Sequence, residues 1–315
     1  QILDKNMKTN YLIVGAGGVG GSIAGFLALA GNDVTCIARG EHLAQIRKNG
    51  LHLKSDMKGE HYIKLKAFSA EEYNDKADVI FVCVKGYSID SIGEVLKKAA
   101  KPNTLVIPIL NVYGTGPRIQ KLVPEMTVLD GCIYIVGFVS APGEITQMGQ
   151  VFRLIFGARP NQNVDAERLN KISKSLENAE IHNIISDHIN RDTFVKWSFI
   201  SAMACTGAYH NCTMEPIQRP GKERDTFIGL ISESKRIGEK IGIPMPADTV
   251  EKGLAVIDHL DPKSTASMQK DIARGHESEI KGQLFDIIDL GRKEGVKIPT
   301  YDMVEQKFLS FRPKK

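Results

Sequence analysis

The chain has 315 residues, of which 42% are apolar and 25% charged, and it carries a formal net charge of +4. That length exceeds one comfortable hydrophobic core and implies two domains, while so small and scattered a positive charge gives no argument for a nucleic-acid partner. No apolar run is long enough to span a membrane, and the five cysteines (Cys36, Cys83, Cys132, Cys205, Cys212) form no C-x-x-C pair. The expectation is a cytoplasmic protein with reduced thiols, no membrane association and no metal. Residues 1–6 read as a remnant or upstream extension, with Met7 as the natural start.

In chain order, Tyr11-Leu12-Ile13-Val14 reads as a buried strand that runs directly into Gly15-Ala16-Gly17-Gly18-Val19-Gly20, and residues 22–30 read as an apolar helix. This is G-x-G-x-x-G in its strand-turn-helix setting, which is what makes the motif informative. Gly15 permits the tight turn, Gly17 removes a side chain that would hold a pyrophosphate away, and Gly20 lets helix and strand approach. Phosphates then sit on free N–H groups at the positive end of a helix. A second strand, over residues 33–38, ends without the Asp or Glu that holds an NAD ribose 2′-hydroxyl; Arg39 stands there, and the first carboxylate is Glu41. A guanidinium pairs bidentately with a phosphate, so the expected cofactor is NADP(H); the alternative for Arg39 is a plain loop residue.

Residues 50–54 and 61–65 read as short alternating strands inserted in the nucleotide domain. Residues 77–85 form a continuous apolar run, as in a parallel strand buried on both faces, and residues 105–110 and 126–132 are two more. Residues 134–156 read as antiparallel strands broken at 141–143 and 148–149. Near Ser186 the pattern turns helical, over residues 193–208, 225–241, 247–258, 264–274 and 277–294. The expected class is α/β: an N-terminal Rossmann-type doubly wound parallel sheet over residues 7–187, followed by an all-helical C-terminal domain over 188–312, with the substrate in a cleft between them.

Lys85 and Asn111 stand at the carboxyl ends of successive strands, the ligand side of an open α/β sheet, where each either reaches a ligand or merely caps its strand. Lys196 lies in the run Phe194-Val195-Lys196-Trp197-Ser198-Phe199 and either snorkels to the surface or points into a cleft, where desolvation suits it to give a proton to a carbonyl oxygen. Glu279, taken alone, is one acid among several on an amphipathic helix and reads as a solvated face; His276, three positions earlier, shares that face and carries no catalytic expectation.

Together these pieces resemble the 2-dehydropantoate 2-reductase (ketopantoate reductase) family. The elements that carry the resemblance are Gly15-x-Gly17-x-x-Gly20, Arg39, Val84-Lys85-Gly86-Tyr87, Asn111-x-x-Gly114, Val195-Lys196-Trp197, Ser267-Met268-x-x-Asp271-Ile272, His276-x-x-Glu279-Ile280 and the segment at residues 295–300. The resemblance implies an NADPH-dependent reduction of 2-dehydropantoate to (R)-pantoate, on the way to pantothenate and coenzyme A. It implies Lys196 as general acid, Glu279 on the substrate's 4-hydroxyl, Ser267 and Asn111 on its carboxylate and carbonyl region, and Lys85 near the nicotinamide end. Asn111 also counts with the glycine turn (including Ala16, Gly18 and Val19), Arg39 and Lys85 as cofactor-binding. The chain departs from the family where asparagines are common four and eight residues after the lysine: here they are Ile200 and Ala204. Those apolar residues leave open another small 2-oxo acid as substrate, and a homodimer is also left open.

Overall fold

The structure, a computed structural model, describes residues 8–314, so the expected start at Met7 lies outside the described residues. The chain divides into two units, one running to Leu110 and resuming over Gly114–Ile189, the other made of Asn111–Tyr113 and everything from Asn190 onward.

The first unit begins β1 (Asn10–Val14), α1 (Gly18–Leu29), β2 (Asp33–Ile37), α2 (Gly40–Asn49), β3 (Leu51–Ser55), β4 (Gly59–Ile63), β5 (Lys66–Phe68) and β6 (Val79–Val82). It continues with α3 (Gly93–Ala99), β7 (Leu105–Pro108), α4 (Thr115–Leu122), β8 (Thr127–Val128), β9 (Asp130–Ala141), β10 (Glu144–Gly157), α5 (Ala166–Asn178) and β11 (His182–Ile185). Six strands form the parallel sheet, in the order β5-β2-β1-β6-β7-β8. The order runs outward both ways from β1, as a doubly wound sheet requires.

A second sheet, in the order β11-β10-β3-β4 with β9 also on β10, was not foreseen as one unit. It explains why α1 is apolar nearly all round. The Gly21 position faces the side chain of Ile145 and the Gly25 position faces Leu53 and Ile63, so the helix is covered on a side that an ordinary sheet-packed helix leaves to water. Ile23, Ala24, Phe26 and Leu27 are fully buried. The expected parallel strand over residues 126–132 is two elements: β8 is only two residues long, and Asp130 to Cys132 already belong to β9. The expected break at residues 148–149 is a bulge inside β10, where pairing with β9 slips between Met148 and Phe152. The β9–β10 hairpin turns on Pro142-Gly143, with Gly143 at φ 77°, as the third position of a type II turn demands.

The second unit is helical: α6 (Ile189–His210), α7 (Met214–Ile217), α8 (Lys222–Lys240), α9 (Thr249–His259), α10 (Ser267–Ala273), a π turn at Lys281–Phe285, α11 (Asp286–Lys293) and α12 (Pro299–Lys307). The predicted helix over residues 277–294 starts late. Residues 276–278 have no regular structure and Glu279 sits in a bend, so His276 and Glu279 do not share a helical face. α12 starts on Pro299, and the buried carboxylate of Glu233, from α8, accepts from the Thr300 and Tyr301 N–H groups at 2.9 and 3.1 Å. A side chain 67 residues away in sequence thus supplies the cap that local sequence lacks.

Glu305, only 4% exposed, fastens the far side of α12. Arg292 reaches both its oxygens, at 2.7 and 3.2 Å, and Arg312 reaches Oε2 at 2.7 Å. Burial pushes the Glu305 carboxyl upward, but hydrogen bonds and charge from the two guanidinium groups outweigh it and hold the carboxyl below its usual range. A depressed folded-state value means this stabilisation is complete above the ordinary carboxylate range, near ~4.3, and is lost as pH falls through the folded value. Glu305→Gln is expected to lower stability at pH 7 by about 1–3 kcal/mol and to flatten the acid limb of the stability curve. Thermal unfolding of both proteins between pH 2 and 7 checks this; parallel acid limbs would refute it.

Candidate active site

Candidate residues lie in both units. In the first, Val14 ends β1 and the chain turns through Gly15, whose φ is 99° and whose N–H donates to the Ile37 carbonyl at the end of β2. A Cβ at Gly15 would stand 2.9 Å from the Cys83 carbonyl oxygen, so conformation and space both exclude a side chain. At Gly20 a Cβ would collide with the Gly15 carbonyl, and at Gly18 with the Gly137 backbone of β9. These three glycines serve the fold.

Gly17 is different. Its φ is −77°, open to any residue, and a Cβ there would meet nothing within 4 Å. The fold has no need of a glycine here, whereas a pyrophosphate approaching the turn does. Among the described residues neither the Gly17 nor the Gly18 N–H has a protein acceptor. The first turn of α1 holds no acidic residue to neutralise its positive end. Ala16 is buried and Val19 half-buried beside them. This turn fits the phosphates of a dinucleotide.

Arg39 lies two residues beyond β2, at the N-cap of α2, and is exposed. It makes no salt bridge among the described residues, and the nearby Glu41 carboxylate instead accepts from Gln45 at 2.7 Å. Lys85 does not end a strand as predicted: β6 stops at Val82, and Lys85, exposed, precedes a 3-10 turn at Gly86–Ser91.

In the second unit, Lys196 and Glu279 are 8% and 6% exposed. Lys196 therefore does not lie along the surface. Trp197, its neighbour on α6, organises the surroundings. The indole Nε1–H donates to the Gly282 carbonyl at 2.8 Å, and the ring stacks on Tyr113 with centroids 5.3 Å apart. Val112 lies so close over Gly282 that a Cβ there would be 3.1 Å from the Val112 Cβ. Ser201, one turn further along α6, donates to the Gln283 carbonyl at 2.6 Å. The segments bearing Asn111, Lys196 and Glu279 are thus clamped together, with the π turn as the clamped element; such turns recur at functional sites.

Two residues have contacts that no motif states. Gln283 is fully buried, and its Nε2–H donates to Glu279 Oε2 at 3.2 Å, fixing one carboxylate oxygen. Trp197 is apolar by type and acts through its one donor. A polar residue four positions after a buried acid was the only sequence signal for Gln283. Asn111 is half-buried in the bend after β7, and Ser267, the first residue of α10, is exposed. Ile200 and Ala204 follow Lys196 at four-residue steps on α6, half-buried and buried, and so line the same helix face.

The first unit thus carries a glycine turn that fits dinucleotide phosphates, and the helical unit carries a buried lysine and glutamate, the features to set beside the oxidoreductases that the chain resembles. Residues 11–161 match the family described as Ketopantoate reductase PanE/ApbA, and residues 188–308 match its C-terminal part. The chain belongs to the ketopantoate reductase family. It is 29% identical over 269 residues to the uncharacterized oxidoreductase YkpB of Bacillus subtilis, covering 85% of this chain and 88% of that one. It is 27% identical to a 2-dehydropantoate 2-reductase of Mesorhizobium japonicum, covering 93% and 94%. The crystal structure of 2-dehydropantoate 2-reductase from Methylococcus capsulatus is similar at a TM-score of 0.83 and 25% identity, over 97% of this chain and 98% of that one.

Proposed function

We propose that this enzyme reduces the ketone of 2-dehydropantoate to (R)-pantoate with NADPH, serving pantothenate and coenzyme A synthesis. The observation that carries the reading is the pair of buried side chains, Lys196 and Glu279, held in one clamped framework of the helical unit. When bound, NADPH supplies the hydride that goes to C2 of the substrate. Lys196 delivers the proton to the ketone oxygen as negative charge develops there, so that hydride and proton together convert C=O to CH–OH. Glu279, pre-set by Gln283, accepts a hydrogen bond from the 4-hydroxyl. Asn111 and Ser267 bind the carboxylate and carbonyl region. The glycine turn holds the pyrophosphate, Arg39 pairs with the adenosine 2′-phosphate, and Lys85 serves the nicotinamide end.

A second reading keeps the cofactor and the lysine but takes another small 2-oxo acid. It is favoured by Ile200 and Ala204, which make the helix face beyond Lys196 apolar where the resemblance implies amides. Following NADPH oxidation by absorbance with 2-dehydropantoate and with 2-oxo acids lacking a 4-hydroxyl decides between them. The proposal expects 2-dehydropantoate to be preferred by at least about 10² in kcat/KM, and NADPH to be preferred over NADH by at least about tenfold. A better turnover of an acid without the hydroxyl would transfer the conclusion to the second reading.

A further inference from the structure

His42, on α2 and half-buried, makes two hydrogen bonds that fix its chemical form. The Gly143 N–H donates to Nδ1 at 2.8 Å, so Nδ1 is an acceptor and carries no proton. The ring proton is therefore on Nε2, which lies 2.6 Å from the Ala16 carbonyl oxygen and donates to it. The two partners are 127 residues apart in the chain and are bridged by this ring: Ala16 is in the glycine turn, and Gly143 is in the β9–β10 hairpin turn.

The consequence lies in the Ala16–Gly17 peptide. In a trans peptide the C=O and the following N–H point in opposite directions. A ring that captures the Ala16 carbonyl therefore turns the Gly17 N–H the other way, where it finds no protein acceptor among the described residues. Gly17 has no Cβ, and one placed there would meet nothing within 4 Å, so no side chain of its own packs to set that peptide plane. The hairpin anchors the ring in turn. A Cβ at Gly143 would be 2.7 Å from the Gln45 Cβ, so the hairpin turn is seated on α2, and the Gly143 carbonyl accepts from the His52 N–H at 2.9 Å.

We infer that His42 is a positioning residue of the dinucleotide site: it clasps the Ala16 carbonyl and so aims the Gly17 N–H at the pyrophosphate. The inference rests on the reading of Gly15–Gly20 as the phosphate-binding turn. It assigns to His42 no contact with the cofactor and no part in hydride or proton transfer. Its effect falls on dinucleotide affinity and leaves turnover alone.

The test compares His42→Ala, His42→Gln and His42→Asn with the wild type, reading Kd for NADPH by fluorescence titration and kcat at saturating NADPH. The terminal amide of Gln reaches the place of Nε2 and can still donate to Ala16, whereas that of Asn reaches only the place of Nδ1 and can satisfy only Gly143. His42→Ala and His42→Asn are expected to raise Kd about five- to twentyfold, with kcat within about twofold of wild type, and His42→Gln is expected to restore most of the affinity. Equal Kd in the Gln and Asn variants, or wild-type affinity in the Asn variant, overturns the inference even if the Ala variant does not fold. Gly17→Ala separates the two levels. If it weakens NADPH binding while His42→Asn does not, the phosphate turn stands and the clasp falls; if the wild type binds no dinucleotide at all, both fall.

Discussion

Lys196→Ala is expected to lower kcat/KM for the preferred 2-oxo acid by about 10²–10⁴, with the affinity for NADPH unchanged within about twofold. The size follows from what the ammonium does. Hydride arriving at a ketone carbon leaves an alkoxide, and a cation held there both stabilises the developing charge and supplies the proton. Lys196 is 8% exposed, so water has poor access to replace it. Lys196→Arg sharpens the result, because a guanidinium keeps the charge but does not release a proton at neutral pH. Its activity is expected to recover only in part. Steady-state rates with a parallel fluorescence titration of NADPH check both points. Turnover in Lys196→Ala close to that of the wild type would remove the lysine from the mechanism.

Gly17→Ala is expected to weaken NADPH binding by more than about tenfold at a stability cost of at most about 1 kcal/mol. The contrast with the neighbouring glycines makes this a sharp test. A Cβ at Gly15, Gly18 or Gly20 strikes the protein itself, so those substitutions damage the fold and tell nothing of a ligand. At Gly17 the added methyl meets no protein atom within 4 Å and the backbone is already in a region open to alanine. Only a bound group can object. Calorimetric unfolding together with NADPH titration measures the two effects on one sample, and undiminished affinity would move the pyrophosphate away from this turn.

The parts of the molecule legible in the amino-acid sequence are those whose cause is local. The turn after β1 is written in six consecutive residues, and β1, β2, β6 and β7 of the parallel sheet in runs of mostly apolar ones. What escapes has its cause far along the chain. β10 takes β3 as a parallel partner and β9 as an antiparallel one, and the register of Ile145 on both Leu53 and Val139 leaves no trace in either neighbourhood. α12 is capped by Glu233 from another helix. The π turn depends on donors from Trp197 and Ser201, so a period of 3.6 read through Glu279 places His276 on a face that does not exist. Gln283 looks like any polar helix residue until its burial and its bond to Glu279 are seen. His42 sits in a polar stretch, and its two partners are 26 residues before it and 101 after it.

The central claim is that Lys196 and Glu279 act on one substrate, the first on its ketone and the second on its 4-hydroxyl. The most direct measurement is the ratio of kcat/KM for 2-dehydropantoate to that for the same acid without its 4-hydroxyl, in the wild type and in Glu279→Ala. A ratio of at least about 10² in the wild type that falls below about tenfold in the variant is the predicted result. An unchanged ratio in Glu279→Ala would contradict it.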